Sequence, residues 1–461
     1  MNGDVTIIKN DNMSGSPSGS NFPLVVGTST AGEIGKVVIV GLETNLEEKF
    51  GFGNLVDKLG DLFNHAGSNA GAFVVRALAD VEGVIGTIQE TKTGTGIVTA
   101  VGDPLINADI VVKITKAGGL NDAQYKYSIN GGLSFSTEFL INVDGEVIIE
   151  NTGITLNFLG IFNKDDTFRL SVKGRSATIL SIIEAINEPL EVYDVPFIFI
   201  TEPTDSVDWV VMNLKADELF KKHRPSFFLC STRIPNKNES LDDWINAMVS
   251  DQQGFASDNV SVCCGYGGVM DKKGNKKERD ISGIVAGLIT NSDVNQSIAE
   301  VAKFPISALF LPDGFNSAYS TVLEDARYIT VKTYAGLNSR YVVEGRTMAE
   351  PTSDYKVLET LRTVYQAIRL ARAKALNYIK SRVFPVNGDI RPSLETIKAE
   401  ITQYIKNNMV YVIPALLTNV VLDLPEGQDI NNQGLVFDMH LEGVPIIRKI
   451  KIFMDITYPK S

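Results

Sequence analysis

From about residue 178 to 335, short apolar β-branched runs alternate with helix-length segments, and no other feature of the chain narrows the fold as much. Residues 197–200 and 226–230 read as buried strands with a helix over 207–222 between them. A second helix over 241–250 precedes a strand at 260–264, and 284–290 is apolar and rich in small residues. Parallel strands joined through helices are covered on both faces, so they read as continuous apolar runs. Residues 23–27 and 36–41 have the same character. The expected fold is an α/β core, a mostly parallel sheet with helices, built from 23–90 together with 178–345.

The texture changes between those two parts. Helix formers thin out over 91–177 and period-two alternation appears at 108–115, 125–136, 154–158 and 167–173. This predicts an inserted all-β domain, a sandwich or small barrel, with a hairpin turn at Asn130-Gly131. Residues 346–461 predict an α+β C-terminal domain. An apolar stripe from Tyr355 through Leu358, Leu361, Tyr365, Ile368, Ala371 and Ala375 to Ile379 predicts one helix from Ser353 to Arg382, with Ser353 as N-cap. A second helix is expected over 394–407, and strands over 435–441 and 449–458.

Both ends read as extended strand arms. Val5, Thr6, Ile7 and Ile8 form a β-branched run tethered by a Ser/Gly/Asn-rich linker over 10–21, so 1–22 is a strand plus leash. At the other end, about 444–461, Ile450, Ile452, Met454, Ile456 and Tyr458 fall on one face of a strand. Such a segment is either a frayed terminus or an arm that completes a sheet on another chain.

Residues arranged for chemistry are scarce. The net charge of −12 and pI of about 5.0 disfavour a nucleic-acid partner. The glycines of 27–36 sit where a phosphate loop would, but Thr30 and Val37 occupy positions that need Gly and Ser/Thr. Cys264–Gly268 lacks the third glycine of a dinucleotide fingerprint. Glu202 with Asp205, and Asp242 with Asp243, are acid pairs of the kind common on loops and helix starts. Cys230, Cys263 and Cys264 fit buried strands better than a disulfide or metal framework, and the three histidines are scattered. The charged run 271–280 reads as an exposed loop. No signal peptide and no stretch of roughly 20 apolar residues is recognisable, so direct membrane insertion is not expected. No catalytic, cofactor-binding or metal-binding residue is assigned, and the chain reads as a non-enzyme.

One feature calls for a partner. Between Ser353 and Arg382 there are seven basic residues against two acidic ones, in a chain that is acidic overall. These cations are either a solvated face or a contact for an acidic surface.

Several blocks resemble the contractile phage-tail sheath family. Val26-Gly27-Thr28-Ser29, then Gly32 and Phe50-Gly51, is similar to the opening of its core. Tyr127–Phe135, Gly153–Phe158 and Asp166–Phe168 resemble the β-rich inserted domain of one branch. Gly345–Ala349, Ser353–Tyr355 and Leu361-Arg362 resemble the entry to the C-terminal helix. The resemblance implies a subunit that polymerises helically around a tail tube through N- and C-terminal arms. It also implies contraction that drives the tube through a target envelope, in a phage tail or tail-like particle assembled in the bacterial cytoplasm. The implied partners are other copies of the chain, a tail tube protein, and baseplate and tail-terminator proteins. Arg362, Arg369, Arg372, Lys374, Lys380 and Arg382 become candidates to face the tube. The competing readings are another self-assembling virion protein and an uncharacterised α/β enzyme.

Overall fold

Six strands form the central sheet of the computed structural model, which describes residues 22–68, 70–270, 274, 276–430 and 434–451. Val5, Thr6, Ile7, Ile8, Ile452, Met454, Ile456 and Tyr458 lie outside the described residues. The strands are β1 (Leu24–Gly27), β2 (Val37–Gly41), β3 (Gly71–Arg76), β4 (Phe197–Pro203), β5 (Phe227–Ser231) and β6 (Val260–Cys263), in the order β6-β5-β4-β1-β3-β2. Every pairing is parallel except β2 with β3.

Side chains of successive residues divide between two cores. Val25, Phe197, Phe199, Phe227 and Leu229 enter one, beneath α1 (Asn54–His65) and a later helix over Ser282–Asn291. Leu24, Val26, Ile198, Ile200, Phe228 and Val262 enter the other, covered by α2 (Ile179–Val192), α3 (Ser206–Lys221) and α4 (Leu241–Gln252). The Ser282–Asn291 helix, now α5, presses its backbone against α1. A Cβ at Gly287 would stand 2.4 Å from the Leu62 carbonyl, and one at Gly283 would stand 2.9 Å from that of Lys58. The small-residue run of the sequence is therefore a helix-contact surface.

The β-rich segment forms a six-stranded and a three-stranded sheet, antiparallel throughout, around a shared core that includes Ile110, Val112, Ile154, Leu156, Phe158 and Leu170. The turn at Asn130-Gly131 differs from expectation. Gln124–Ser128 does pair with Phe139–Leu140, but across a long connection. Asn130 instead organises that connection: its Oδ1 accepts from Ser134 N at 3.0 Å, and Gly131 N donates to Asp109 O at 2.8 Å. Side-chain turn chemistry displaces the two-residue hairpin there.

The charged run also differs. Lys276–Asp280 is a strand paired with Tyr266–Met270, and Arg279 and Asp280 are buried rather than in an exposed loop. Their charge is matched inside the fold, by a route that linear sequence does not reveal.

The C-terminal helix is shorter than its apolar stripe. It runs as α6 (Leu358–Ala375), followed by a 3-10 turn at Leu376–Tyr378. Ser353 is not its N-cap; its Oγ donates to Asp258 Oδ1 at 3.1 Å. Val357 is held extended by a bridge to Arg346, which fixes the start one turn later. Leu358, Leu361 and Tyr365 pack under the central sheet, whereas Ala367, Leu370 and Ala371 pack on a separate core. That second core joins α7 (Arg391–Met409) to a two-stranded sheet of Leu417–Asp423 and Asp438–Gly443. One helix is thus the spine of two cores. Residues 444–451 have no regular secondary structure, so the described start of the expected 449–458 strand, including Ile450, is not one.

Candidate functional site

In an open parallel sheet, ligands bind outside the carboxyl ends of the strands where the strand order reverses. Here Thr28 follows β1, Glu202 lies near the end of β4, and Asn54 opens α1. Glu202 Oε1 accepts from Thr28 N at 2.9 Å and Thr28 Oγ1 at 2.7 Å, while Oε2 accepts from Asn54 Nδ2 at 2.7 Å. Burial pushes its carboxyl above the usual range despite those bonds. Beside it Lys58 pairs with Asp280 and donates to Ser282 Oγ at 3.1 Å. Although Asp280 is buried, Lys58 holds it below the usual carboxylate range. Arg279 reaches Asp61 at 2.9 Å, yet burial still raises Asp61 to about 7. The β-rich block closes over this edge through Ile106, Asn107 and Arg175, leaving a cavity of about 10 Å³. A single water needs about that much. The usual ligand position is filled by the protein's own polar side chains.

The six cations singled out near α6 separate by environment. Arg362 is buried and donates to Ser292 Oγ at 2.8 Å and to the carbonyls of Ile289 and Ser292 at 3.0 Å, satisfying the C-terminal end of α5. It is a core residue, not a tube-facing one. Arg369 grips Asp194 at 3.1 Å and donates to the carbonyls of Val195 and Pro225. Lys374 pairs with Glu400 at 2.9 Å. Only Arg372, Lys380 and Arg382 of the six are exposed. Arg372 borders an apolar groove of about 390 Å³ that Phe220, Ile368 and Leu376 help to line. Arg382 stacks over Phe384. The apolar stripe runs past the end of α6 to Lys380 and Arg382, and it carries no information on which cations find internal partners.

The C-terminal two-stranded sheet has the opposite character from the carboxyl edge. Among the described residues, each of its strands pairs only with the other, so both outer edges carry backbone groups without a strand partner. Leu417, Val420 and Leu422 face the core, and Val421 is exposed. Past Gly443, Ile447 and Ile450 are exposed.

Comparison with known proteins accounts for nearly the whole chain. Residues 2–346 match the DUF2586 N-terminal domain and 354–461 match the DUF2586 C-terminal domain. The chain belongs to the DUF2586 family. A protein of Haemophilus phage HP1, named "Putative tail sheath protein", is 27% identical to this DUF2586 chain over 183 residues, 37% of the chain and 46% of the phage protein. The fold is shared more widely. The sheath of the extracellular contractile injection system PVC, in its contracted state, aligns with a TM-score of 0.55 at 10% identity, covering 98% of each chain. The contracted helical sheath of the anti-feeding prophage gives 0.53 at 14% identity, again over 98% of both chains. A sheath tail protein from Desulfitobacterium hafniense gives 0.50 at 11%, covering 95% of this chain and all of the other. The DUF2586 chain therefore has the fold of contractile-system sheath proteins.

Among its described residues no three His, Cys, Asp or Glu are grouped to hold a metal, and no helix is long and apolar enough to cross a membrane. The three cysteines are fully buried, with Cys263 and Cys264 in different cores. Burial raises the Cys230 and Cys264 thiols to about 12. The residues that sequence reasoning missed in the DUF2586 chain are Glu344, Glu359 and Arg448. They carry no motif, and only the return of residues 344–359 against themselves brings the two acids together.

Proposed function

We propose that this chain is the repeating subunit of a contractile tail sheath and performs no catalysis. It polymerises helically around a tail tube, in a phage tail or tail-like particle, and contracts to drive the tube through a target envelope. The observation that carries this reading is the sheath fold, followed over 98% of the chain and including a two-stranded sheet whose outer edges have no strand partner among the described residues. Terminal arms around Val5–Ile8 and 452–458 from neighbouring copies would add strands to those edges, since an incomplete sheet accepts an extended segment through backbone hydrogen bonds. Head-to-tail exchange of this kind propagates open helices rather than closed dimers. Contraction is then rigid-body repacking between two interface states while the arms stay joined. Baseplate and terminator proteins cap the ends. The exposed Arg372, Lys380 and Arg382 form the cationic face offered to an acidic tube. The filled carboxyl edge supports a structural role over the α/β-enzyme reading.

Electron microscopy of the purified chain, alone and with its tube protein, tests the proposal. Striated hollow cylinders are the expected result, and removal of residues 1–20 should abolish them. Monomers under both conditions sink the sheath reading. Normal-length cylinders from the truncated chain sink arm exchange alone.

A further inference from the structure

Arg448 reaches from the segment after the Asp438–Gly443 strand onto two carboxylates drawn from separate parts of the chain. Its Nη2 donates to Glu359 Oε1 at 2.5 Å, and its Nη1 donates to Glu344 Oε2. Glu359 lies in the first turn of α6, and Glu344 follows the Arg340–Val342 strand. Backbone bonds from Leu358 N to Gly345 O at 2.8 Å and from Thr347 N to Lys356 O at 3.1 Å bring the two acids together. Glu359 is 3% exposed. Glu344 Oε1 and Glu359 Oε2 are buried with no hydrogen-bond partner. Two adjacent carboxylates, one buried and one part-buried, are unfavourable unless a cation is shared between them, and the guanidinium fork suits that task. Arg362, one turn along α6, is committed to Ser292 and Ile289 instead.

The segment leading to Arg448 is seated as well. Val444 and Ile446 border a cleft of about 120 Å³ with Thr360, Thr363 and Val364 of α6 and stay 39% and 38% exposed, against 80% for Ile447. Positions 444, 446 and 448 touch the body and 447 is the most exposed of the run, which is the two-residue alternation of an extended chain. The charge contact closes the end of this seat.

We infer that Arg448, gripping Glu344 and Glu359, is a latch that fixes the point and direction in which the C-terminal segment leaves its own subunit. Its use in assembly rests on the proposed arm exchange; the latch itself does not. With the latch closed, the arm's reach is counted from Arg448. With it open, the reach is counted from Gly443, and five extended residues add about 17 Å of slack. That slack would let neighbouring bodies separate without unpairing the strand between them.

Since the native cysteines are buried, thiols introduced at Asp354 and Lys449 can be spin-labelled selectively in the full, unassembled chain. Pulsed dipolar spectroscopy should give one narrow distance in the parent. Arg448→Met and the double variant Glu344→Gln/Glu359→Gln should each lose that narrow peak, while circular dichroism melting of Arg448→Met confirms that the body stays folded. Arg448→Lys, which keeps the charge without the fork, should retain part of the peak. A narrow peak in Arg448→Met overturns the latch, as does its loss in Arg448→Met but not in the double glutamine variant. Micrographs of the same chains under assembly conditions, alone and with tube protein, separate the two readings. Broadening without cylinders from any chain supports the latch and sinks the sheath, whereas a narrow peak in Arg448→Met beside normal parent cylinders sinks the latch alone.

Discussion

The carboxyl edge of the central sheet and the outer edges of the C-terminal sheet are both places where strands end or stop pairing, yet they are finished in opposite ways. At the first, Glu202 holds Thr28 and Asn54, Lys58 pairs with Asp280, and the β-rich block closes what remains to about 10 Å³. At the second, two strands have no further strand partner among the described residues and lead into a segment with exposed Ile447 and Ile450. An open parallel sheet commonly binds ligands at the first edge, which is here closed, and under the proposed function the interactions lie at the periphery. Substitutions at the interior should therefore damage the folded body, and those at the periphery should spare the body and damage assembly.

The largest effect is expected at Arg362. Replacing it with Met leaves the carbonyls at the end of α5 unsatisfied and should cost about 3–5 kcal/mol, read as a lower denaturation midpoint. A cost near zero would return Arg362 to the surface-facing set. Asp61 comes next. Its folded pKa of about 7 lies above the ordinary value of 3.8, so the proton it retains stabilises the fold at low pH. That contribution is lost as pH rises from about 4 to about 7 and amounts to as much as about 4 kcal/mol. Asp61→Asn should remove this slope, becoming more stable relative to the parent at pH 8 than at pH 5 in thermal melts; an unchanged difference would break the assignment. Glu202→Ala should cost about 1–3 kcal/mol by stranding Thr28 and Asn54. If it left stability intact and removed a ligand-binding activity, the two edges would have to exchange roles. The smallest effect on stability, within about 0.5 kcal/mol, is expected for Arg372→Glu with Arg382→Glu and for Val421→Glu. Cosedimentation with tube protein should nevertheless fall for the first pair, and cylinder length should fall for the second.

The readable parts were those governed by local periodicity. Strands 197–200 and 226–230, the helix between them and the all-β texture of 91–177 all announce themselves through repeat and composition, and the structure has them within a few residues. The unreadable parts involve partners distant in sequence. The run at 276–280 looks like an exposed loop because its charges are visible, whereas Asp57, Asp61 and Lys58, which neutralise Arg279 and Asp280, are more than 200 residues away. The six cations in and after α6 look equivalent along the apolar stripe, yet one is buried in the core, two are held by acids elsewhere in the chain and three are exposed. Ser353 has the chemistry of a cap, but the Arg346–Val357 bridge moves the helix start beyond it.

By itself the sequence determined the order of blocks, the period of each and the apolar strength of the parallel strands, because burial and backbone geometry impose those patterns one residue at a time. Only the tertiary structure decided which charges are internal, which sheet edge is sealed and where Arg448 anchors its segment. Electrostatic matching acts between neighbours in space, and folding chooses those neighbours without regard to their distance along the chain.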